Sequence, residues 1–273
     1  MASTEPRRSP REPSPELLAR CHANALEDYR AFAEAAVRAD VEEEPGSLFV
    51  NLDSRDSIEN VAFFTETPDP VRALDRAEAF FRRNPRPWSV ILHPGAQPAM
   101  RLPLAARGFR DEGKFPGMLL DPIPEEAVAP PDGLRIVPVE TLEQLEDLQR
   151  AAAEAYGVPY EAPEKGWLSA RGLTSYVGYF DGTPVVHGIL VAAHGIAGVA
   201  YVGTAPKGRH RGFARALVSR IVSDGRAKGC DAAYLWATPM GYGVYAGLGF
   251  RTILNYEIWS APGSPLPPAI RGR

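Results

Sequence analysis

Residues 201–215 read YVGTAPKGRHRGFAR, the end of a strand, a break and the start of a helix. Tyr201 to Thr204 close a run of strand-forming residues, and Pro206 and Gly208 interrupt it. A helical pattern begins after Gly212, with Phe213, Leu217 and Ile221 on one face, flanked by Ala214 and Val218. The turn itself is Arg209-His210-Arg211-Gly212-Phe213-Ala214, an R-x-x-G-x-A pattern. A helix N-terminus offers unpaired N–H groups and the positive end of the helix dipole, which suits a pyrophosphate. Gly212 lets phosphate oxygens reach the backbone with no Cβ in the way, and Ala214 is small for the same reason. Arg209, Arg211 and Arg215 add positive charge. Taken alone, the same loop also reads as an ordinary helix cap.

A second signal follows, Tyr245-Ala246-Gly247-Leu248-Gly249-Phe250, a short helix ending on Gly-Phe and carrying a tyrosine that can donate a proton. Neither G-x-x-x-x-G-K-[ST] nor G-x-G-x-x-G occurs, and the loop comes late in its half of the chain. P-loop and dinucleotide readings therefore fit worse.

Around these motifs the second half predicts strands over 134–139, 175–180, 184–192, 198–204, 231–238 and 252–260, with helices over 141–156, 212–228 and 240–248. Asp181-Gly182 is a hairpin turn. Residues 182–206 contain no Asp, Glu, Lys or Arg. That length could span a bilayer, but His187, His194 and the valines favour two consecutive strands with a turn at His194-Gly195. The first half predicts helices over 16–40, 70–83 and 98–107, with strands over 47–52, 61–65, 87–93 and 115–120. Glu42-Glu43-Glu44 reads as a solvated face.

The domain plan is a disordered tail (1–14), an N-terminal domain (15–121), a proline-rich linker (122–133), a C-terminal domain (134–260) and a loose tail (261–273). Leu104-Ala105-Ala106-Arg107-Gly108-Phe109 echoes Tyr245 to Phe250, with Leu104 where Tyr245 stands. The first half has no R-x-x-G-x-A. It reads as a divergent repeat that kept the scaffold and lost the chemistry.

The 273 residues carry a formal net charge of -4, which gives no case for nucleic-acid binding through bulk charge. Cys21 and Cys230 form no C-x-x-C, and no H-E-x-x-H or Cys/His cluster signals a metal. The expected compartment is the reducing cytoplasm, with no membrane partner. A monomer and a homodimer are both open.

The combination of Val202-Gly203-Thr204-Ala205-Pro206, the loop from Arg209 to Ala214 and the Tyr245–Phe250 segment resembles the GNAT superfamily of N-acetyltransferases. The resemblance covers residues 134–260, and more faintly 15–121 as a degenerate second copy. It implies an α/β (α+β) fold, with a mixed, mainly antiparallel central sheet flanked by helices, in tandem. It also implies acetyl-CoA as cofactor, its pantetheine arm lying between splayed strands. By position, Val202, Gly203 and Thr204 would hold that arm. The N–H groups of His210, Arg211, Gly212, Phe213, Ala214 and Arg215, with Arg209, would hold the pyrophosphate. Thr238 stands where many relatives carry Asn.

The implied reaction is direct transfer of an acetyl group to a primary amine of a small molecule or peptide. A backbone N–H near Val202 would stabilise the oxyanion, and Tyr245 matches the family's acid, with Tyr242 one turn earlier as a backup. The base is not visible, since residues 198–201 lack the expected carboxylate. His187 or Glu257 could serve through water, or proximity could suffice. Aromatic and acidic residues at 156–176 (Tyr156, Tyr160, Glu161, Glu164, Trp167, Tyr176) would suit a cationic amine. Two alternatives stay open: a non-catalytic acyl-CoA-binding or regulatory protein, and a ligand-free scaffold. The first half would complete the substrate cleft or cover a sheet edge.

Overall fold

The structure is a computed structural model that describes residues 12–67, 69–267 and Ile270. Residues 1–11 of the expected tail lie outside the described residues, as do most of those after 267.

Ser14 caps the first helix, α1 (Pro15–Ala35), by accepting from Leu17 N at 3.2 Å. The first half continues β1 (Asp40–Glu44), β2 (Ser47–Asn51), β3 (Val61–Phe64), α2 (Pro70–Arg83), β4 (Ser89–Leu92), α3 (Gln97–Ala106) and β5 (Arg110–Leu120). The second half runs β6 (Leu134–Pro138), α4 (Leu142–Tyr156), β7 (Leu173–Phe180), β8 (Thr183–Ala193), β9 (Ile196–Thr204), α5 (Phe213–Ala227), β10 (Ala232–Trp236), α6 (Tyr242–Gly247) and β11 (Arg251–Ser260). Asp181-Gly182 and His194-Gly195 all have positive φ, so the charge-free run folds as β8 and β9 with tight turns at 181–182 and 194–195. No helix among the described residues is long and apolar enough to cross a membrane.

One expectation needs correcting. The first helix stops at Ala35 rather than at 40, and the acidic run lies in the edge strand β1. Its carboxylates pair with arginines: Glu42 with Arg83 at 2.6 Å, Glu43 with Arg30 at 2.5 Å and Glu44 with Arg76 at 2.6 Å. The strand is held by its ladder with β2 and carries charges on its exposed edge, so hydrophobic alternation does not reveal it.

The strands form one sheet of order β1-β2-β3-β4-β11-β5-β10-β9-β8-β7-β6. Only β3–β4 and β9–β10 are parallel; every other described pairing is antiparallel. The order is palindromic about β11 and β5. Each half sends its last strand into the other, β5 pairing with β10 and β11 pairing with β4. Elements α1 to β5 repeat as α4 and β7 to β11, and β6 has no counterpart. The proline-rich stretch 122–133 therefore marks no break in the sheet. Within the expected C-terminal tail, Ala261, Leu266 and Ile270 are buried.

Helix α1 ties the halves together. Alternate β9 and β10 residues point to opposite faces, with Ala197 and Ala233 packing under α5 while Ile196 and Tyr234 pack under α1. Arg20 of α1 pairs with Asp231 at 2.5 Å and donates to His194 O at 2.8 Å. Buried Asn24 donates to Val191 O at 3.0 Å and Ile196 O at 3.3 Å.

Candidate active site

Pairing between β9 and β10 covers Ile196 with Ala232, Ala197 with Ala233 and Gly198 with Tyr234, and there it stops. β9 continues to Thr204 without β10 beside it. On its other side, β9 pairs Ala200 with Ile189 and Gly203 with His187, so Tyr201 and Val202 oppose the single residue Gly188. Tyr201, in this bulge, has φ 51°. Val202, Gly203 and Thr204 all lie beyond the split.

The chain then turns into α5 through Gly212, at φ 79°, with no side chain capping the helix. The first-turn N–H groups stay available, because only from Ala216 does the backbone bond return, to Gly212 O at 3.1 Å. His210, Arg211, Gly212 and Arg215 are exposed, Ala214 is half-buried and Phe213 is buried in the core. The three arginines differ. Arg209 braces the loop, donating to Thr204 O at 3.2 Å and Ala155 O at 3.0 Å. Arg211 stacks on Phe180, 3.9 Å from the ring centroid. Arg215 lines a groove between α5, α6 and residues 123–128.

Thr238 accepts at its backbone oxygen from Gly241 and Tyr242, which starts α6 and presents Tyr245. Tyr245 is buried, and burial pushes its phenol up to about 12. Tyr242 is largely exposed. Tyr156, the last residue of α4, lies within electrostatic reach of Tyr245; burial first, and then Tyr245, holds its phenol well above the usual range. Its ring is 5.3 Å from Tyr201 and 5.5 Å from His187, and His187 is 4.9 Å from Tyr201. Trp167 extends the wall, 6.5 Å from Tyr201 and 5.2 Å from Phe32 of α1.

His187 is fully buried, and its ring meets the backbone of Tyr201. Burial pushes it down to about 3, so it is neutral at physiological pH and a poor base. A Cβ at Gly203 would overlap its Nε2. Glu257 is buried on the far side of the sheet junction and paired with Arg101, its Oε2 accepting from Nε at 2.9 Å. Tyr176 is also away from the cleft, donating to Asp224 at 2.8 Å beneath α5. Glu164 accepts from Val37 N, and Tyr160 is exposed.

Sequence reasoning missed two carboxylates, Asp56 and Glu59, that lie within electrostatic reach of Tyr156 and Tyr201. Asp56 and Glu59 lie on the loop joining β2 to β3, in the first half. Burial pushes Asp56 up to about 6 and Glu59 up to about 7. After burial, Glu59 is the largest influence raising Tyr201, followed by Tyr156, Asp56 and Glu161. The only signal in the sequence was a short polar loop with three acids, Asp53, Asp56 and Glu59.

The equivalent place in the first half has neither feature that suits a pyrophosphate cofactor. β3 and β4 pair along their whole length, from Val61 with Ser89 to Phe64 with Leu92. The following helix, α2, is capped by Asp69, whose carboxylate accepts from Arg72 N at 3.0 Å. A carboxylate already fills that N-terminus and repels an anion.

This split sheet with a bare helix N-terminus is what the resemblance to the GNAT superfamily implies for the second half. Residues 143–253 match the family model for the acetyltransferase (GNAT) domain, so the second half carries a domain of that family. No curated protein matches the chain. Among solved structures, the fold is similar to that of a GCN5-related N-acetyltransferase from Kribbella flavida (20% identity, 88% of this chain, 96% of that one, TM-score 0.65). It is also similar to one from Sphaerobacter thermophilus (17% identity, 92% and 94%, TM-score 0.58). A third likeness is to the glucosamine N-acetyltransferase region of a fungal multi-domain GH3 β-N-acetylglucosaminidase (14% identity, 88% and 36%, TM-score 0.53). The shared fold thus extends over the first half as well.

Proposed function

We propose that the protein transfers an acetyl group from acetyl-CoA to a primary amine of a small molecule or peptide by direct attack. The observation that carries this reading is the end of β9–β10 pairing at Gly198 and Tyr234, in the same half as the uncapped N-terminus of α5. The backbone of Val202, Gly203 and Thr204 would hold the pantetheine arm beside β9. The N–H groups of His210 to Arg215 would hold the pyrophosphate, with Arg209 keeping the loop in shape. Bound there, acetyl-CoA supplies a thioester carbonyl as the electrophile. A backbone N–H near Val202 stabilises negative charge on that oxygen. Tyr245 stays protonated at neutral pH and donates to the departing sulfur. Tyr156, Tyr201 and Trp167 exclude water and offer ring faces to a cationic acceptor.

Calorimetric titration with acetyl-CoA tests this. Wild type is expected to bind in the micromolar range, and Gly212→Asp to lose binding while staying folded. Gly212→Asn, which tolerates the left-handed backbone without adding charge, is expected to stay within a few fold of wild type. No binding by folded wild type overturns the reading. One observation favours a second reading: residues 198–204 contain no carboxylate, as in a non-catalytic acyl-CoA-binding or regulatory protein. Its signature is acetyl-CoA binding with no acetylation across a broad amine panel.

A further inference from the structure

We propose that Glu59, on the β2–β3 loop of the first half, is the general base that takes the acceptor amine's proton in the cleft of the second half. This rests on the acetyl-transfer reading and assigns the residue that reading lacks.

The second half supplies no base of its own. Residues 198–204 contain no carboxylate, His187 is buried and too weak a base, and Glu257 is bound to Arg101. The loop that carries Glu59 is built to hold a fixed position. Fully buried Asn60 donates to Ser54 O at 2.9 Å, Asp56 O at 3.2 Å and Pro87 O at 2.8 Å, and accepts from Leu52 N at 2.9 Å. Tyr29 of α1 donates to Ile58 O at 3.4 Å, and Ser57 donates to Pro265 O at 3.0 Å.

The same loop reaches across to the acceptor side. Arg55 Nε lies 3.7 Å from Glu161 Oε1, on the segment whose Trp167 packs beside Tyr201. Aromatic contacts join the loop to the cleft wall: Tyr29, which donates to Ile58 O, lies 6.4 Å from Phe32, Phe32 lies 5.2 Å from Trp167, and Trp167 lies 6.5 Å from Tyr201.

The groups facing Glu59 explain its proton affinity. Ser54 donates to its carboxylate, while Asp56 from its own loop and Glu161 from the opposite segment repel its charge. Tyr29, Tyr156 and Tyr201 stand within its field as neutral phenols. The nearby cations are engaged elsewhere, Arg55 with Glu161 and Arg86 with Asp53. Pushed up to about 7, Glu59 is matched to a proton taken near neutral pH.

Proton and bond accounting closes. Glu59 takes one proton from an ammonium acceptor, directly or through one water, and later passes it to solvent. Tyr245 gives its proton to sulfur as the C–N bond forms and the C–S bond breaks with its electron pair on sulfur. Tyr245 regains a proton from the acylated nitrogen.

The test compares wild type, Glu59→Gln, Glu59→Asp and Asp56→Asn, with acetyl-CoA affinity measured by calorimetry and acetylation of a primary-amine panel measured by thiol release from pH 5.5 to 9.5. Glu59→Gln is expected to keep wild-type acetyl-CoA affinity, lose about 100-fold in kcat and lose the acidic limb of the pH profile. Glu59→Asp is expected to recover part of the rate with the limb retained, and Asp56→Asn to keep the limb. In cofactor-free protein carrying 13C-labelled glutamate, a carboxyl resonance titrating near pH 7 is expected in wild type and absent from Glu59→Gln. Unchanged kcat and limb in Glu59→Gln, or a Glu59 midpoint in the ordinary carboxylate range, overturns the assignment while leaving acetyl transfer intact. Loss of acetyl-CoA binding by folded wild type overturns both together.

Discussion

Gly198 and Tyr234 are the last residues at which β9 and β10 lie side by side as paired strands. Their counterparts in the first half keep pairing to the ends of both strands, at Phe64 and Leu92. The palindromic sheet thus has two equivalent parallel pairs, one that splays and one that stays closed. Past the split, β9 carries a bulge at Tyr201 and Val202, a feature that the closed pair β3–β4 lacks. Beyond the split, β9 needs hydrogen-bond partners that the sheet does not provide, and an extended amide-bearing arm is a natural one.

The same asymmetry sets stoichiometry. Asp69 caps α2 where Gly212 leaves α5 bare. Calorimetry is expected to find one acetyl-CoA per chain, and Asp69→Ala to leave that number at one. That variant is expected to lose about 1 kcal/mol of stability with its cap. Two sites per chain in wild type would show that the first half retains a slot.

Tyr245→Phe removes a hydroxyl that burial keeps protonated, its phenol lying near 12. The ring stays packed against Phe250, 6.1 Å away. Turnover is expected to fall about 100-fold with acetyl-CoA affinity unchanged, because the proton is needed only as the sulfur departs. An equal loss of affinity and turnover would make the residue a packing element instead. Steady-state kinetics with parallel calorimetry separates the two.

Glu59 gives a pH signature that needs no cofactor. Its carboxyl ionises near 4.5 when unfolded and near 7 in the fold, and Asp56 moves the same way, from 3.8 to about 6. The raised values mean that both groups favour folding fully below the unfolded pKa. That contribution is lost as pH rises through the folded pKa. Glu59→Gln cannot ionise, so its stability relative to wild type is expected to increase between about pH 4.5 and 7 and to level off above. Urea denaturation across that range measures it, and a difference independent of pH would contradict the shift.

Local chemistry made much of this fold legible. The turns at 181–182 and 194–195 and the glycine at 212 each act through a few adjacent residues, so sequence reports them directly. The loop from Arg209 to Arg215 and the short helix that carries Tyr245 were legible as elements for the same reason. β1 was not, because its acidic residues show no apolar alternation and its partners, β2 in the ladder and Arg30, Arg76 and Arg83 in ion pairs, lie on other elements. Asp56 and Glu59 were not, because their surroundings are assembled from α1, α4, β9 and the segment around Glu161. Nothing near Glu59 in sequence announces that its charge reaches Tyr201.

The strand exchange makes a last expectation sharp. Without residues 12–121, the second half would lose β5, leaving β10 and β11 with no strand between them. It would also lose α1, which covers Ile196 and Tyr234 and anchors to the second half through Arg20 and Asn24. An open central edge and an uncovered apolar face both promote association. Residues 122–273 expressed alone are therefore expected to aggregate, although they contain the whole matched acetyltransferase domain. Co-expression with residues 12–121 is expected to give a soluble one-to-one complex, with β5 and β11 crossing as they do in the intact chain. Size-exclusion chromatography with light scattering distinguishes the outcomes. A soluble, monomeric 122–273 would mean that the exchanged strand and α1 are dispensable for that half. The first half would then contribute Glu59 to the cleft without being needed to hold the sheet together.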